Sequence, residues 1–247
     1  MLLGASNLTL GFGIVTRMIR NGFASPVEVV AAIGHGRSYG TWSTVAVRSL
    51  PGIVNCRLWE SLRSKPPVPT YALLTDIGND LMYGYSPQQI ANWVETCFER
   101  LSEVEATSIV TRLPIARVKL LSAWRYHATR LSFFPLHKPV SWKEMLRRAC
   151  ELDDRLFEVA KRREAMIIEP PQEWYSVDPI HIRWTQRRRA WQEILSKWPD
   201  FQIPTGSVTR PGLSLLGHFP SQYRLIGREC HGAQPTVRRE DISLFLY

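Results

Sequence analysis

Four side chains of this 247-residue sequence have the chemistry of an acyl-transfer site, although they lie far apart along the chain. Ser6 offers a hydroxyl nucleophile, His181 offers a base, and Asp178 stands three residues before that base. Asn79 adds an amide donor, and Gly36 lies in a glycine-rich turn whose backbone can approach a ligand closely. Acyl transfer through a covalent intermediate needs this set of a nucleophile, a base, an orienting carboxylate and oxyanion donors.

Ser6 has two interpretations. It lies between a short apolar run and a helix-like pattern that begins at Leu8, so the sequence predicts a strand, a tight turn and a helix start. In open α/β sheets the carboxyl end of a strand is where ligands bind, which favours a functional serine. The structural alternative is a helix cap, since a serine before an apolar periodic segment is the common N-cap residue.

Predicted strands and helices alternate along residues 1–198. Apolar or β-branched runs predict buried parallel strands at residues 27–33, 71–75, 107–111 and 166–168. Periodic apolar residues predict helices at residues 8–23, 87–101, 142–159 and 184–198. This alternation predicts an α/β fold with a mainly parallel sheet.

Three regions depart from this pattern. Residues 42–50 are predicted to form a helix, and residues 113–140 a loop or short helix that covers part of the sheet. From residue 199 onward the composition changes to proline, glycine and short apolar pieces. We therefore predict one domain over residues 1–198 and a C-terminal extension, residues 199–247, packed on it as strands or loops.

The candidate residues follow predicted strands or precede the last helix. Because the carboxyl ends of parallel strands lie along one edge of a sheet, Ser6, Gly36 and Asn79 can converge there. The pair Asp178 and His181 lies in the loop before the last predicted helix and can reach the same edge. The sequence thus predicts one site built from distant segments.

In block order and spacing, residues 1–198 resemble the SGNH hydrolases, also called GDSL hydrolases, a family of serine esterases and lipases. Residues 4–8, Gly-Ala-Ser-Asn-Leu, are similar to the family's first block, Gly-Asp-Ser-Leu. Residues 29–38 resemble the second block, especially in the acetylesterase branch, and residues 78–80 resemble the third, Gly-x-Asn-Asp. Residues 178–181 match the last block, Asp-x-x-His.

This resemblance implies a flavodoxin-like three-layer α/β/α sandwich and a serine esterase that uses no cofactor and no metal. Ser6 would be the nucleophile, His181 its base, and Asp178 the carboxylate that orients the imidazole. The oxyanion hole would consist of the backbone N–H groups of Ser6 and Gly36 and the Asn79 amide. The implied substrate is a small acyl ester, in the first place an acetyl ester of a carbohydrate or similar molecule, with thioesters and lysophospholipids left open.

The sequence also departs from the family pattern. Ala5 stands where the family has an acid before the serine, and we expect Asn7 to replace some of the hydrogen bonds of that acid. Gly40 is an alternative to Gly36 as the oxyanion glycine, because Ser38-Tyr39-Gly40 also resembles the second block. A family member without activity is therefore an open alternative.

The net charge of +9 supports a second hypothesis. A catalytically inactive module of this fold could use a basic surface to bind an anionic polymer or a membrane. The positive residues are spread along the chain, with short runs at residues 161–163 and 187–189, and no nucleic-acid-binding motif is present. The spread of the positive residues therefore predicts a solvated basic surface. The absence of such a motif predicts no nucleic-acid partner.

The remaining features bear on compartment and metal binding. The cysteines are Cys56, Cys97, Cys150 and Cys230, and they form no CxxC pair, which argues against a zinc site or a disulfide framework. No signal-peptide pattern and no apolar run of membrane-spanning length occurs in the sequence. We therefore expect a cytoplasmic protein with no integral membrane segment and a small-molecule substrate.

Overall fold

The alternating strands and helices are present in the computed structural model, which describes residues 1–24, 26–133, 140–176, 178–204 and 210–247. The strands are β1 (Leu2–Leu3), β2 (Val27–Ala32), β3 (Ser43–Val45), β4 (Arg48–Leu50), β5 (Tyr71–Leu74), β6 (Thr107–Thr111), β7 (Met166–Ile168), β8 (Tyr223–Leu225), β9 (Arg228–Cys230), β10 (Val237–Arg238) and β11 (Ile242–Leu246). The helices are α1 (Ser6–Gly22), α2 (Leu58–Arg63), α3 (Asn79–Met82), α4 (Pro87–Ser102), α5 (Ile115–Val118), α6 (Ala123–Phe133), α7 (Trp142–Arg162) and α8 (Arg187–Leu195). None of these helices is both long and apolar enough to span a bilayer.

Within the described ranges, seven strands form the central sheet, in the order β10-β11-β2-β1-β5-β6-β7. Neighbouring strands are parallel except for the pair β10 and β11. The chain moves from β1 to β2 on one side and later places β5 on the other side, so the strand order reverses at β1. Such a reversal leaves a crevice beyond the carboxyl ends of β1 and β5, where α/β proteins bind ligands.

Alternate residues of the strands face opposite sides of the sheet, as extended backbone requires. Leu2 and Leu73 face the layer of α1 and α8, where the buried Trp191 lies. Leu3 and Leu74 face the layer of α4 and α7. Helices therefore cover both faces of a mostly parallel sheet, which confirms the predicted three-layer α/β/α fold.

The prediction of a helix at residues 42–50 is wrong. These residues form β3 and β4, which pair in antiparallel fashion around a tight turn where Ala46 has a φ of 54°. The β-branched Thr44, Val45 and Val47 disfavour a helix and suit an extended strand. β4 also pairs with β8, so a distant segment supplies hydrogen bonds that residues 42–50 alone do not reveal.

The segment after residue 198 takes part in both sheets. β11 lies parallel to β2 over five residue pairs, and the N–H of Tyr247 donates to the Ala31 carbonyl at 2.9 Å. β8 and β9 extend the sheet of β3 and β4. The division at residue 198 stays a prediction.

Helices α5 and α6 occupy much of residues 113–140, of which residues 134–139 lie outside the described ranges.

Candidate active site

Ser6 is the first residue of α1, immediately after the turn that follows β1. That turn passes close to β5, because an added Cβ on Gly4 would lie 2.7 Å from Thr75 Cγ2. Ala5 occupies the cap position, and the Ser6 hydroxyl is directed at His181. The interpretation of Ser6 as the helix cap is therefore wrong.

Ser6, His181 and Asp178 form one hydrogen-bonded chain. His181 Nε2 lies 3.0 Å from Ser6 Oγ, and His181 Nδ1 lies 2.6 Å from Asp178 Oδ2. The other carboxylate oxygen, Asp178 Oδ1, accepts from the backbone N–H groups of Ile180 at 3.0 Å and His181 at 3.2 Å. This geometry can activate a hydroxyl through a base whose ring is oriented by a carboxylate.

The ionisation state of Asp178 determines which ring nitrogen of His181 carries the proton. Burial raises the pKa of the Asp178 carboxyl, but hydrogen bonds from the His181 ring and from the backbone N–H groups of Ile180 and His181 outweigh burial. Its pKa therefore lies below the ordinary value, and the group is a carboxylate at neutral pH. A carboxylate at Nδ1 keeps the ring proton there and makes Nε2 the acceptor that faces the Ser6 hydroxyl.

Asp76 holds the turn that carries Ser6, a role that the sequence analysis missed. Asp76 Oδ2 accepts from the backbone N–H of Ala5 at 2.9 Å and from that of Leu8 at 3.1 Å. Asp76 has a φ of 59°, a left-handed conformation that aspartate tolerates better than most residues. Asp76, which lies beyond β5, thus supplies the carboxylate acceptor that the methyl side chain of Ala5 lacks. An acid directly after a buried strand was the available signal.

Asn7 connects Asp76 to the loop of His181. Its Nδ2 donates to Asp76 Oδ1 at 2.7 Å and to the Ile180 carbonyl at 2.8 Å. Its Oδ1 accepts from the N–H of Ile182 at 2.7 Å. The backbone on both sides of His181 is therefore fixed to the helix that starts at Ser6. Asn7 therefore acts on the turn of Ser6 through Asp76, and the expectation that it replaces hydrogen bonds of a family acid stays a prediction.

The side-chain amide of Asn79 is a hydrogen-bond donor at the same site. Asn79 begins α3 after β5 and lines the same cavity as Ser6. Its Nδ2 is buried and has no hydrogen-bond partner among the residues that the structure describes. A buried unpaired amide is costly for a fold, so its presence here suits a donor reserved for an oxygen of a ligand.

Gly36 lies in a turn with a left-handed backbone conformation, which glycine adopts at the least cost. Its φ is 60°, and an added Cβ would lie 2.9 Å from both Tyr83 Oη and Val45 Cγ2. The Tyr83 hydroxyl donates to the Gly36 carbonyl, which fixes the orientation of the following peptide group. Within the described ranges, the N–H of Gly36 is not used in a hydrogen bond. It is thus a second available donor.

Gly40, the alternative oxyanion glycine, is used differently. Its N–H donates to Ser38 Oγ at 3.0 Å, and an added Cβ would lie 2.0 Å from Trp93 Cε2 on α4. Glycine is therefore needed at this position for packing, and its donor is already occupied. The geometry favours Gly36 over Gly40.

The turn that contains Gly36 is anchored by Asp80. Ser38 Oγ donates to Asp80 Oδ1, and the N–H of Tyr39 donates to Asp80 Oδ2 at 2.8 Å. The Tyr39 hydroxyl in turn donates to the Thr75 carbonyl at 2.9 Å. Burial raises the pKa of Asp80 to about 6, against the effect of the hydrogen bonds from Ser38 and Tyr39. The glycine turn is thereby attached to the end of β5.

The described residues contain no group of three or more His, Cys, Asp or Glu side chains that could hold a metal ion. A cavity of about 140 Å³ opens beside Ser6 and Asn79. The structure therefore brings Ser6, Asp178 and His181 into contact and places Asn79 on the same cavity.

No protein-family model matches the sequence, and a search of curated proteins gives no significant match. Solved structures with a similar fold include a carbohydrate acetylesterase family member from Sinorhizobium meliloti, with 12% identity and a TM-score of 0.52 over 78% of this chain and 93% of that one. Another carbohydrate acetylesterase structure from S. meliloti shares 15% identity, with a TM-score of 0.52 over 79% and 96% of the two chains. An aryl esterase from M. smegmatis shares 13% identity, with a TM-score of 0.51 over 79% and 95%. At such identities the similarity shows the fold.

Proposed function

We propose that this chain is a serine esterase of the SGNH type that hydrolyses a small acyl ester. The observation that carries the proposal is the hydrogen-bonded chain from Asp178 through His181 to Ser6. Asn79 lines the same cavity as Ser6, and its buried amide has no hydrogen-bond partner in the part of the chain that the structure describes. A nucleophile, a base and an orienting carboxylate in contact are the arrangement that acyl transfer requires.

In the first half of the reaction, Ser6 Oγ attacks the ester carbonyl while His181 Nε2 takes the hydroxyl proton. The negative charge that forms on the carbonyl oxygen is stabilised by the N–H groups of Ser6 and Gly36 and by the Asn79 amide. The intermediate then collapses, the bond to the alcohol breaks, and His181 returns its proton to the leaving oxygen. The acyl group stays on Ser6.

In the second half, water replaces the alcohol. His181 takes a proton from the water as it attacks the acyl-enzyme, and the same donors stabilise the second oxyanion. Collapse breaks the bond to Ser6 Oγ, which recovers its proton from His181 and releases a carboxylic acid. Asp178 stabilises the imidazolium in both halves without accepting its proton.

The sequence resemblance predicts an acetyl ester of a carbohydrate or a similar small molecule as the substrate. Structures with this fold are described as carbohydrate acetylesterases and an aryl esterase, which supports ester hydrolysis as the reaction class. The proposal therefore includes oxygen esters of small acyl groups and needs no cofactor.

The test is hydrolysis of p-nitrophenyl acetate by the wild type, by Ser6→Ala and by Ser196→Ala. Ser196 follows α8, and its hydroxyl donates to the Glu193 carbonyl, so it is a control serine outside the site. We expect Ser6→Ala to lose about 10³-fold or more in kcat and to lose labelling by a fluorophosphonate probe, while Ser196→Ala keeps both. Equal activity in wild type and Ser6→Ala would refute Ser6 as the nucleophile.

The basic-surface hypothesis is tested by measuring polymer binding and ester hydrolysis at several salt concentrations. Binding of an anionic polymer by a chain of net charge +9 should weaken steeply as salt rises, whereas hydrolysis of a neutral ester should barely change. Salt-sensitive polymer binding without Ser6 labelling would favour the inactive binding module.

A further inference from the structure

The cavity beside Ser6 continues under the helices α5, α6 and α7, and its walls are mainly apolar. Its lining includes Leu81, Leu113, Leu121, Tyr126, Met145 and Ala149. Leu81, Tyr126, Met145 and Ala149 belong to the buried core on that face of the sheet. A concave apolar space that ends at a few polar groups is the usual form of a small-molecule site.

The reaction geometry determines which part of an ester occupies this space. His181 must return a proton to the alcohol oxygen, so the alcohol lies on the side of the imidazole. Ser6 and Asn79 line the cavity, whereas His181 does not. With the carbonyl oxygen at the Asn79 amide and the alcohol at His181, the remaining substituent of the carbonyl carbon is the acyl chain.

The size of the cavity decides between a short and a longer acyl group. An acetyl group would place a single methyl in it, but the cavity of about 140 Å³ is about ten times the 10–15 Å³ that one water-sized group requires. Resting on the esterase proposed above, we infer that the preferred substrate carries an acyl chain of about four to eight carbons. This inference replaces acetyl as the preferred acyl group.

Two residues that line the cavity provide the test of its length. Ala149 is a small, buried residue on α7, and a larger side chain there would fill part of the cavity. Leu121 follows α5 and is half-buried against the same core. Its neighbour Leu120 is 63% exposed and does not line the cavity, so the two leucines form a matched pair.

The experiment measures kcat/KM for p-nitrophenyl acetate, butyrate, hexanoate and octanoate, each corrected for its rate of alkaline hydrolysis. Each buried methylene can add about fourfold, so we expect hexanoate to exceed acetate by about tenfold or more in the wild type. Leu121→Trp and Ala149→Leu should lower the hexanoate-to-acetate ratio by about tenfold. Leu120→Trp should leave that ratio unchanged.

The possible results separate this inference from the function on which it rests. Ser6-dependent hydrolysis that is flat or decreases with acyl length would overturn the acyl assignment and leave the esterase intact. An unchanged ratio in folded Leu121→Trp would also overturn it. Hydrolysis that does not depend on Ser6 would overturn both. Thermal unfolding checks each variant, and Leu121→Trp carries the test if Ala149→Leu does not fold, because Leu121 is only half-buried.

Discussion

The side chain of Asn7 donates to Asp76 Oδ1 at 2.7 Å, and this bond joins the first turn of α1 to the end of β5. The other oxygen of Asp76 accepts from the backbone on either side of Ser6, at Ala5 and Leu8. Burial raises the pKa of Asp76 against these hydrogen bonds, so each of them matters for keeping the group ionised. Ser6 and His181 are therefore positioned by one small network.

Asn7→Ala should injure catalysis without removing a reacting group. The change deletes three hydrogen bonds, to Asp76, to the Ile180 carbonyl and from the Ile182 N–H, and frees the backbone on both sides of His181. We expect kcat to decrease by about 10²-fold, because a small misplacement of the base is enough for such a loss. The free energy of unfolding should decrease by about 3 kcal/mol, at about 1 kcal/mol per hydrogen bond.

Asn21→Ala is the matched control for that variant. Asn21 lies near the other end of α1 and also makes three hydrogen bonds, to the Arg17 carbonyl and to the carbonyl and N–H of Arg210. These hydrogen bonds are exposed, so we expect a smaller loss of stability in chemical denaturation and an unchanged kcat. An equal decrease of kcat in both variants would show that Asn7 acts only through general stability.

Asn79→Ala should lower kcat without lowering stability. Loss of one oxyanion donor typically lowers kcat by about 10²–10³-fold, with little change in KM because the donor acts mainly in the transition state. Since Asn79 Nδ2 is buried without a partner among the described residues, its removal sacrifices no hydrogen bond of the fold. We therefore expect the melting temperature to stay constant or to rise. A large increase in KM at constant kcat would contradict this role.

The sequence predicted the parts of the site that depend on local patterns. Ser6, Asn79 and the loop of Asp178 and His181 each follow a recognisable strand or precede a helix, and the parallel order of the strands brings them to one edge. The mainly parallel α/β sheet followed from the alternation of strand and helix patterns, since a parallel sheet needs helical crossovers on its faces. The three-layer arrangement was predicted from the family resemblance.

The parts that were missed depend on contacts between distant segments. Asp76 supports a turn about seventy residues earlier in the chain. Its place after a predicted strand marks it as a candidate, but the sequence does not show which distant backbone groups it binds. In the same way, Thr44 and Val45 lie in a strand whose sheet is completed by β8, far along the chain. Tertiary partners, and not the intrinsic preferences of residues 42–50 alone, determine that hairpin.

Gly36→Ala and Gly40→Ala should fail for different reasons. Alanine at position 36 meets a φ of 60° and the Tyr83 hydroxyl, so the turn must shift and displace the N–H of Gly36. We expect kcat to decrease by about 10²-fold with a loss of stability of about 1–2 kcal/mol.

Alanine at position 40 would clash with the Trp93 ring and should mainly destabilise the fold. Kinetics and denaturation of both variants, measured side by side, distinguish the two, and a catalytic loss confined to Gly40→Ala would make Gly40 the oxyanion glycine.

Asp80→Asn should change how stability depends on pH. Burial raises the pKa of Asp80 to about 6 from an ordinary value of 3.8, so between these values the folded chain keeps a proton that the unfolded chain has released. Stability contributed by this group therefore decreases as pH rises through that range and is constant above it. The stability advantage of the wild type over Asp80→Asn should shrink by about 2.4 kcal/mol between pH 4 and pH 7, at up to about 1.4 kcal/mol for each pH unit. Urea denaturation at several pH values measures this difference, with the exposed Asp154→Asn as the control. A difference that stays constant with pH would mean that the hydrogen bonds from Ser38 and Tyr39 fully offset the cost of burying the charge.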